Sequence, residues 1–153
     1  MRRRTLIQFA GMLLPASALA QSAQAAEPHA SNAAEPHASK VVYHLADLDK
    51  VGFVLGNIRN HYDGVGGPEN ITIALVVHGP ALKAFHAAGA ALATTQDLAA
   101  LKISGLEPYA CINTMHAQNI TLKDLVPGFA VADKGGVVKL ADLQTQGYVY
   151  LRP

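Results

Sequence analysis

The pattern of hydrophobic and polar residues predicts short buried strands separated by helices from residue 40 onward. Apolar runs rich in β-branched and aromatic residues, typical of strands in a parallel sheet, occupy four segments: 41–45, 71–77, 106–112 and 148–152. A weaker run at 129–132 predicts a further short strand. The segment 71–77 is apolar on both faces, which indicates a central position in the sheet.

Helical spacing of apolar residues fills the intervals between these runs. The clearest helix follows Asp47, which suits an N-terminal cap, and has one apolar stripe: Val51, Val54, Leu55, Ile58 and Tyr62. Further helices are predicted through Leu82 and Phe85, from Thr94 to Gly105, from a cap at Asn113 or Thr114, and from Val137 to Gly147. Strands and helices therefore alternate four or five times, which predicts an α/β fold with a mainly parallel sheet covered on both faces.

Polar and reactive residues follow the predicted strands at their carboxyl ends. Asp47 follows the first strand, His78 follows the second, and Cys111 with Asn113 closes the third. Residues 150–152 join the same edge if the last strand runs in the same direction. Ligands and catalytic groups gather at this edge in parallel sheets, so a functional site is expected here.

Residues 1–25 have the features of an export signal peptide. A basic start precedes the apolar run 6–14, Pro15 and small-residue cleavage sites, and residues 3–7 fit the twin-arginine pattern. Residues 26–39 form a predicted disordered leader, because the segment is rich in Ala, Pro and Ser and largely consists of a short tandem repeat. The folded domain is expected at 40–153, and the protein is expected in the periplasm.

Composition narrows the classes of function. The chain has 153 residues, 50% of them hydrophobic and 15% charged, which suits one globular domain. Three of the twelve basic residues lie at positions 2–4, so the predicted mature chain carries nine basic and eleven acidic residues. This balance argues against a nucleic-acid partner, and no membrane anchor is expected after removal of the signal. The single cysteine excludes an intrachain disulfide.

Cys111 lies where the third predicted strand gives way to a helix. Unpaired N–H groups at a helix start stabilise a thiolate, so one interpretation is a nucleophilic Cys111 assisted by Asn113 and by His78 as base or hydrogen-bond partner. The alternative is an inert, packed cysteine and a structural histidine. As a minor alternative, His116 could join Cys111 and a third ligand in holding copper or zinc. No cofactor is otherwise expected.

Five segments together resemble the DsrE/DsrF-like family and cover nearly all of residues 40–153: Val41-Val-Tyr-His44, Asn57-Ile-Arg-Asn-His-Tyr-Asp-Gly64, Val76-Val-His-Gly-Pro80, Ala110-Cys-Ile-Asn-Thr-Met115 and Gly147-Tyr-Val-Tyr-Leu-Arg-Pro153. The resemblance implies a flavodoxin-like three-layer sandwich with a sheet of four to five strands, assembled into trimers or hexamers. It also implies a sulfur-relay role, in which the cysteine matching Cys111 accepts a sulfane sulfur as a persulfide and passes it on. Relay members are typically cytoplasmic, whereas this chain carries a predicted export signal.

The expected function is that of a periplasmic sulfur carrier or sulfurtransferase-like protein that forms a persulfide on Cys111. Its expected partners are a sulfur donor or acceptor protein and further copies of this chain. Two alternatives remain open at this stage. One is a non-catalytic oligomeric module of the same fold that binds a small molecule or a metal, and the other is an accessory subunit that acts only through protein contacts.

Overall fold

The structure, a computed structural model, describes residues 39–153. It contains one five-stranded sheet in which every neighbouring pair of strands is parallel. The strands are β1 (Ser39–Leu45), β2 (Ile71–Val77), β3 (Glu107–Cys111), β4 (Ala130–Ala132) and β5 (Val149–Leu151). Their order across the sheet is β4-β3-β2-β1-β5, so the predicted central position of 71–77 is confirmed.

Four α-helices connect or follow the strands: α1 (Val51–Gly64), α2 (Leu92–Ile103), α3 (Ile112–Ala117) and α4 (Gly136–Thr145). All five positions of the predicted apolar stripe on α1 are buried, since that face packs on the sheet. Together the helices and the parallel sheet form the predicted α/β, flavodoxin-like arrangement.

The helix predicted through Leu82 and Phe85 is instead a 3₁₀ segment, Gly79–Phe85. The N–H of Ala81 donates to the carbonyl of Ala46 at 3.0 Å, in the loop after β1. This bond ties the start of the segment to a neighbouring loop. The carbonyl of Gly79, which would accept the N–H of Lys83 in an α-helix, accepts Gln118 Nε2 at 3.0 Å instead.

The two faces of the sheet carry cores of different size. On one face, α1 and α2 help to enclose a cluster of 23 buried residues, to which β1 contributes Val41, Tyr43 and Leu45. On the other face, α4 covers a cluster of five buried residues, to which β1 contributes Val42. The alternation along β1 follows from the two-residue period of a strand, which sends successive side chains to opposite faces.

The register of the sheet places the polar residues of the carboxyl edge on the thinly covered face. His44 pairs with Val76, and Tyr150 pairs with Val42, two residues before His44. Because residues paired across parallel strands share a face, His44 and Tyr150 lie on the same side as α4. Cys111 lies two residues after Tyr109, which pairs with Val76, and therefore also belongs to this side.

The predictions for the export signal and for leader residues 26–38 lie outside the described residues. Ser39, predicted to end the leader, is the first residue of β1, because it pairs with Ile71. Among residues 39–153, no helix has both the length and the apolar character needed to cross a membrane.

Candidate functional site

Cys111 is the last residue of β3 and the N-cap of α3. Its backbone is extended, with φ −67° and ψ 121°, and α3 begins at Ile112. The expectation that Asn113 or Thr114 caps this helix is therefore wrong, because the helix starts directly at the strand end. Cys111 is a free thiol with 5% of its surface exposed, so it can be reached only through an opening in the protein.

Such an opening lies beside the cysteine, as a cavity of about 270 Å³. Cys111, Asn113 and His78, the three predicted site residues, all line it. The loop before α4 and the first turn of α4 form the opposite wall, which includes Lys134 and Val137. The fold thus brings together groups that are far apart in sequence.

The start of α4 supplies a hydrogen bond to the sulfur. The N–H of Gly136, the first residue of α4, donates to Cys111 Sγ at 3.1 Å. A Cβ at position 136 would lie 3.3 Å from Cys111 Cβ and 3.4 Å from His78 Cβ, so glycine allows the helix to approach this closely. Gly135 precedes it with φ +96°, a conformation that favours glycine.

The electrostatic environment lowers the pKa of Cys111. Burial is the largest single influence and raises the pKa, but the backbone N–H groups of Thr114, Gly136 and Asn113 and the Thr114 hydroxyl together outweigh it. Of these donors, Gly136 makes the well-aligned hydrogen bond, whereas no cap hydrogen bond closes at the start of α3. The Thr114 hydroxyl oxygen accepts the N–H of Gly79 at 2.9 Å, which leaves its own proton available to the sulfur. The thiolate is therefore favoured relative to an ordinary cysteine.

A chain of hydrogen bonds runs from the cavity along the edge of the sheet. His78 Nε2 contacts His44 Nε2, and His44 Nδ1 lies 2.6 Å from the Tyr150 hydroxyl. Both ring nitrogens of His44 are thus in hydrogen-bond contact, and the sequence pattern did not reveal the connection to His78. His44 and Tyr150 are 106 residues apart, so only the strand order could have revealed their proximity.

His44 and His78, the two histidines in this row of hydrogen bonds, are both mainly neutral at pH 7. Burial, followed by the effects of His78 and Arg152, lowers the pKa of His44 to about 4 against the opposing effect of Asp47. Burial and then Arg152 also lower the pKa of His78, again opposed by Asp47. The Cys111 thiolate is consequently stabilised by amide and hydroxyl donors rather than by a neighbouring imidazolium ion.

The minor prediction of a metal site with Cys111 and His116 finds little geometric support. His116 is exposed on α3 and does not line the cysteine cavity. Within residues 39–153, no group of three or more His, Cys, Asp or Glu side chains is arranged to hold a metal ion.

A second cavity, of about 440 Å³, lies on the opposite face of the sheet between α1 and the end of β5. Its polar wall includes Asn57, Asn60, His61 and Arg152. Tyr43 also lines this cavity, and its hydroxyl lies 3.0 Å from His61 Nδ1, a hydrogen bond that orients the imidazole ring. Sequence reasoning noted residues 57–64 as part of the family resemblance but assigned no site to them.

Comparison with known proteins supports the fold more than any activity. No family model matches the chain, and no curated protein matches it. Among solved structures, it is similar to MTH1491, a protein of unknown function from Methanobacterium thermoautotrophicum, with 26% identity and a TM-score of 0.66 over 75% of this chain and 99% of that one. The YchN protein from E. coli has 15% identity and a TM-score of 0.54, over 76% of this chain and 100% of that one. Both comparisons agree with the flavodoxin-like arrangement.

Proposed function

We propose that this protein is an exported member of the DsrE/DsrF-like family and acts as a sulfur carrier or sulfurtransferase-like protein that forms a persulfide on Cys111. One observation carries the proposal: Sγ lies in the wall of a small cavity and accepts the first N–H of α4. A thiol in this position has the lowered pKa that sulfur transfer requires.

The transfer involves one bond made and one bond broken. The Cys111 thiolate attacks the sulfane sulfur of the donor, and a new S–S bond forms at Sγ. The bond between the sulfane sulfur and the rest of the donor breaks, and the leaving group departs with the electron pair as a thiolate or as sulfite. In the second half, a nucleophile of the acceptor attacks the terminal sulfur, and the Cys111 thiolate leaves.

The cavity sets limits on the donor. Because only 5% of Cys111 is exposed, the sulfane sulfur must enter a space of about 270 Å³ to reach Sγ. Lys134 on the wall favours an anionic group, such as thiosulfate or a persulfide anion. A donor or acceptor protein would therefore present a slender sulfur-bearing group rather than a flat surface.

The cellular setting completes the proposal. Residues 1–25 would direct export to the periplasm, and the mature chain would assemble as a homo-oligomer, a trimer or hexamer by the family resemblance. Apolar side chains that are exposed in the single chain, Val149 at 60% and Phe53 at 55%, suit burial between subunits. Export is tested by the mass of the chain isolated from the periplasm, which should lack residues 1–25. Assembly is tested by light scattering at micromolar concentration, which should give the mass of an oligomer.

The direct test of function is intact-mass analysis after incubation with thiosulfate or polysulfide. The native protein should gain one sulfur atom, about 32 Da, and this adduct should disappear on treatment with a reductant. The Cys111→Ser variant is the matched control and should gain nothing. An unreactive native thiol with no adduct from either donor would contradict the proposal.

A non-catalytic oligomeric binding module is the second candidate, because the 440 Å³ cavity at Asn57, Asn60 and Arg152 lies away from Cys111. In that case a small molecule or metal would be retained through purification, and Cys111→Ser would not change its amount. Mass spectrometry of the native protein and metal analysis of periplasmic material distinguish this candidate from the sulfur carrier.

A further inference from the structure

Four adjacent strands each place one hydrogen-bonding or reactive side chain at the carboxyl edge of the thinly covered face. In the order of the sheet these are Cys111 at the end of β3, His78 directly after β2, His44 in β1 and Tyr150 in β5. The last three are joined by hydrogen bonds, and the first shares a cavity with His78. The row thus extends from the buried sulfur to Tyr150, which is 39% exposed.

The contact between the two imidazole rings has a defined geometry. The ring centroids are 4.6 Å apart, the planes differ by 15°, and the closest contact joins the two Nε2 atoms. One Nε2 must carry a proton and the other must accept it. His44 uses its second nitrogen on the Tyr150 hydroxyl, so both of its nitrogens are engaged. For His78, Nδ1 is the nitrogen left over, and the residue lines the Cys111 cavity.

We propose that Tyr150, His44 and His78 form a proton relay that protonates the leaving group of the sulfur donor in the Cys111 cavity. The inference rests on the proposed function, because the leaving group arises only if Cys111 accepts sulfur. His78 acts on the leaving group, and His44 and Tyr150 are positioning residues that act through His78.

Each proton that leaves the relay at His78 is replaced at Tyr150, so the relay residues carry no net charge before or after the transfer. At the start, Tyr150 donates to His44 Nδ1, His44 Nε2–H donates to His78 Nε2, and His78 carries its proton on Nδ1. As the donor bond breaks, Nδ1–H passes to the leaving sulfur, each following proton moves one place along, and solvent reprotonates Tyr150. When an acceptor thiol attacks the persulfide, its proton enters at His78 Nδ1 and the shifts reverse, which resets the chain.

The surroundings suit a relay that stays neutral. Arg152 lowers the pKa of both rings, whereas Asp47 raises both. The two side chains form an ion pair at 3.3 Å. Lys134 is the charged residue on the wall of the cavity itself. Two neutral rings in hydrogen-bond contact pass a proton by exchanging tautomers, which a pair of permanently charged rings cannot do.

The test compares donors with different leaving groups. Glutathione persulfide releases an alkyl thiolate that needs a proton, with a pKa near that of a cysteine thiol, about 8.5. Thiosulfate releases the less basic sulfite. In rapid-quench mass spectrometry, Tyr150→Phe should lower the ratio of the glutathione persulfide rate to the thiosulfate rate by about tenfold or more. Tyr148→Phe is the matched control and should keep the native ratio, because the Tyr148 ring lies beside Lys40 rather than in the relay.

His44→Gln provides a second break in the relay and should lower the same ratio at least as much as Tyr150→Phe. An unchanged ratio in Tyr150→Phe, or equal slowing with both donors, would overturn the relay while leaving sulfur transfer intact. Absence of an adduct from either donor in the native protein would instead contradict the proposed function. Circular dichroism shows whether each variant is folded, and Tyr150→Phe alone decides the question if His44→Gln is not.

Discussion

The two faces of the sheet differ in how they are covered and in what they carry. The face under α1 and α2 has the larger hydrophobic cluster, whereas the face under α4 has five buried residues and the row from Cys111 to Tyr150. In β1 the division runs between neighbours, since Tyr43 and Leu45 belong to the large cluster, whereas His44 lies on the other face and belongs to the row from Cys111 to Tyr150. The comparison teaches that one face supplies most of the stability, and the other has room for polar groups.

The largest expected effect is loss of the sulfur adduct, and it concerns the thinly covered face under α4. Cys111→Ser should abolish the sulfur adduct completely, because a serine hydroxyl remains protonated near pH 7 and forms no persulfide. Its effect on the free energy of unfolding should be small, since the two side chains are similar in size. A large loss of stability in urea denaturation would show that the thiol is needed mainly for packing.

Truncation in the cores should distinguish the faces by stability. Leu55→Ala, on the large-cluster side, should lower the free energy of unfolding by about 4 kcal/mol, towards the upper part of the usual range for a buried leucine. Leu143→Ala, under α4, should cost about 2 kcal/mol, because a thin layer collapses more readily around the lost volume. Equal losses in chemical denaturation would remove the proposed difference between the faces.

Acid should weaken the protein through the thin face. The folded-state pKa of His44 is lowered to about 4, from an ordinary value of 6.5, so the unfolded chain binds more protons between these values. The contribution of His44 to the free energy of unfolding is therefore fully present above pH 6.5 and is lost as the pH falls towards 4. Urea midpoints measured at pH 7 and pH 5 should show this loss, and His44→Gln should reduce it. The same loss in the variant would assign the acid sensitivity to other groups.

Reactivity of Cys111 should depend on the close approach of α4. In Gly136→Ala the added Cβ meets Cys111 Cβ and His78 Cβ, so the helix start should move away and the pKa of the thiol should rise. The rate of alkylation by iodoacetamide at pH 7 should fall about tenfold or more, in line with loss of one hydrogen bond to a charged group. Gly56→Ala on α1 is the matched control, since its Cβ meets nothing within 4 Å. An unchanged rate in Gly136→Ala would contradict the role of this amide.

The smallest expected effect concerns the ion pair between Arg152 and Asp47. Both side chains are about half exposed, at 49% and 54%, so Asp47→Asn should change the free energy of unfolding by about 0.5 kcal/mol or less. The pKa of His44 and of His78 should fall further, because Asp47 is the group that raises both. NMR titration of the two imidazole rings measures this change, and a rise in either pKa would contradict the stated direction.

The sequence predicted the fold class, and it predicted that Cys111, Asn113 and His78 lie together at the carboxyl edge of the sheet, where they line one cavity. The stripe on α1 was predictable because Val54, Leu55 and Ile58 lie on one helical face, and local spacing determines which side is buried. The contact of Gly136 with Cys111 was not predictable, since it joins residues 25 apart through the placement of α4. The bond from His44 to Tyr150 depends on β5 lying beside β1, and nothing in the local pattern specifies that neighbour.

The depth of the Cys111 sulfur has a consequence for storage. A terminal sulfur held on Sγ would remain below the molecular surface, at a residue only 5% exposed, where bulky reductants in the surrounding fluid cannot easily collide with it. The lifetime of the persulfide would then depend on how well an attacking thiol fits into the cavity beside Cys111 rather than on how reducing the compartment is. Sulfur transfer would be selective for acceptors of suitable shape, and reduction of the persulfide by other thiols would be slow.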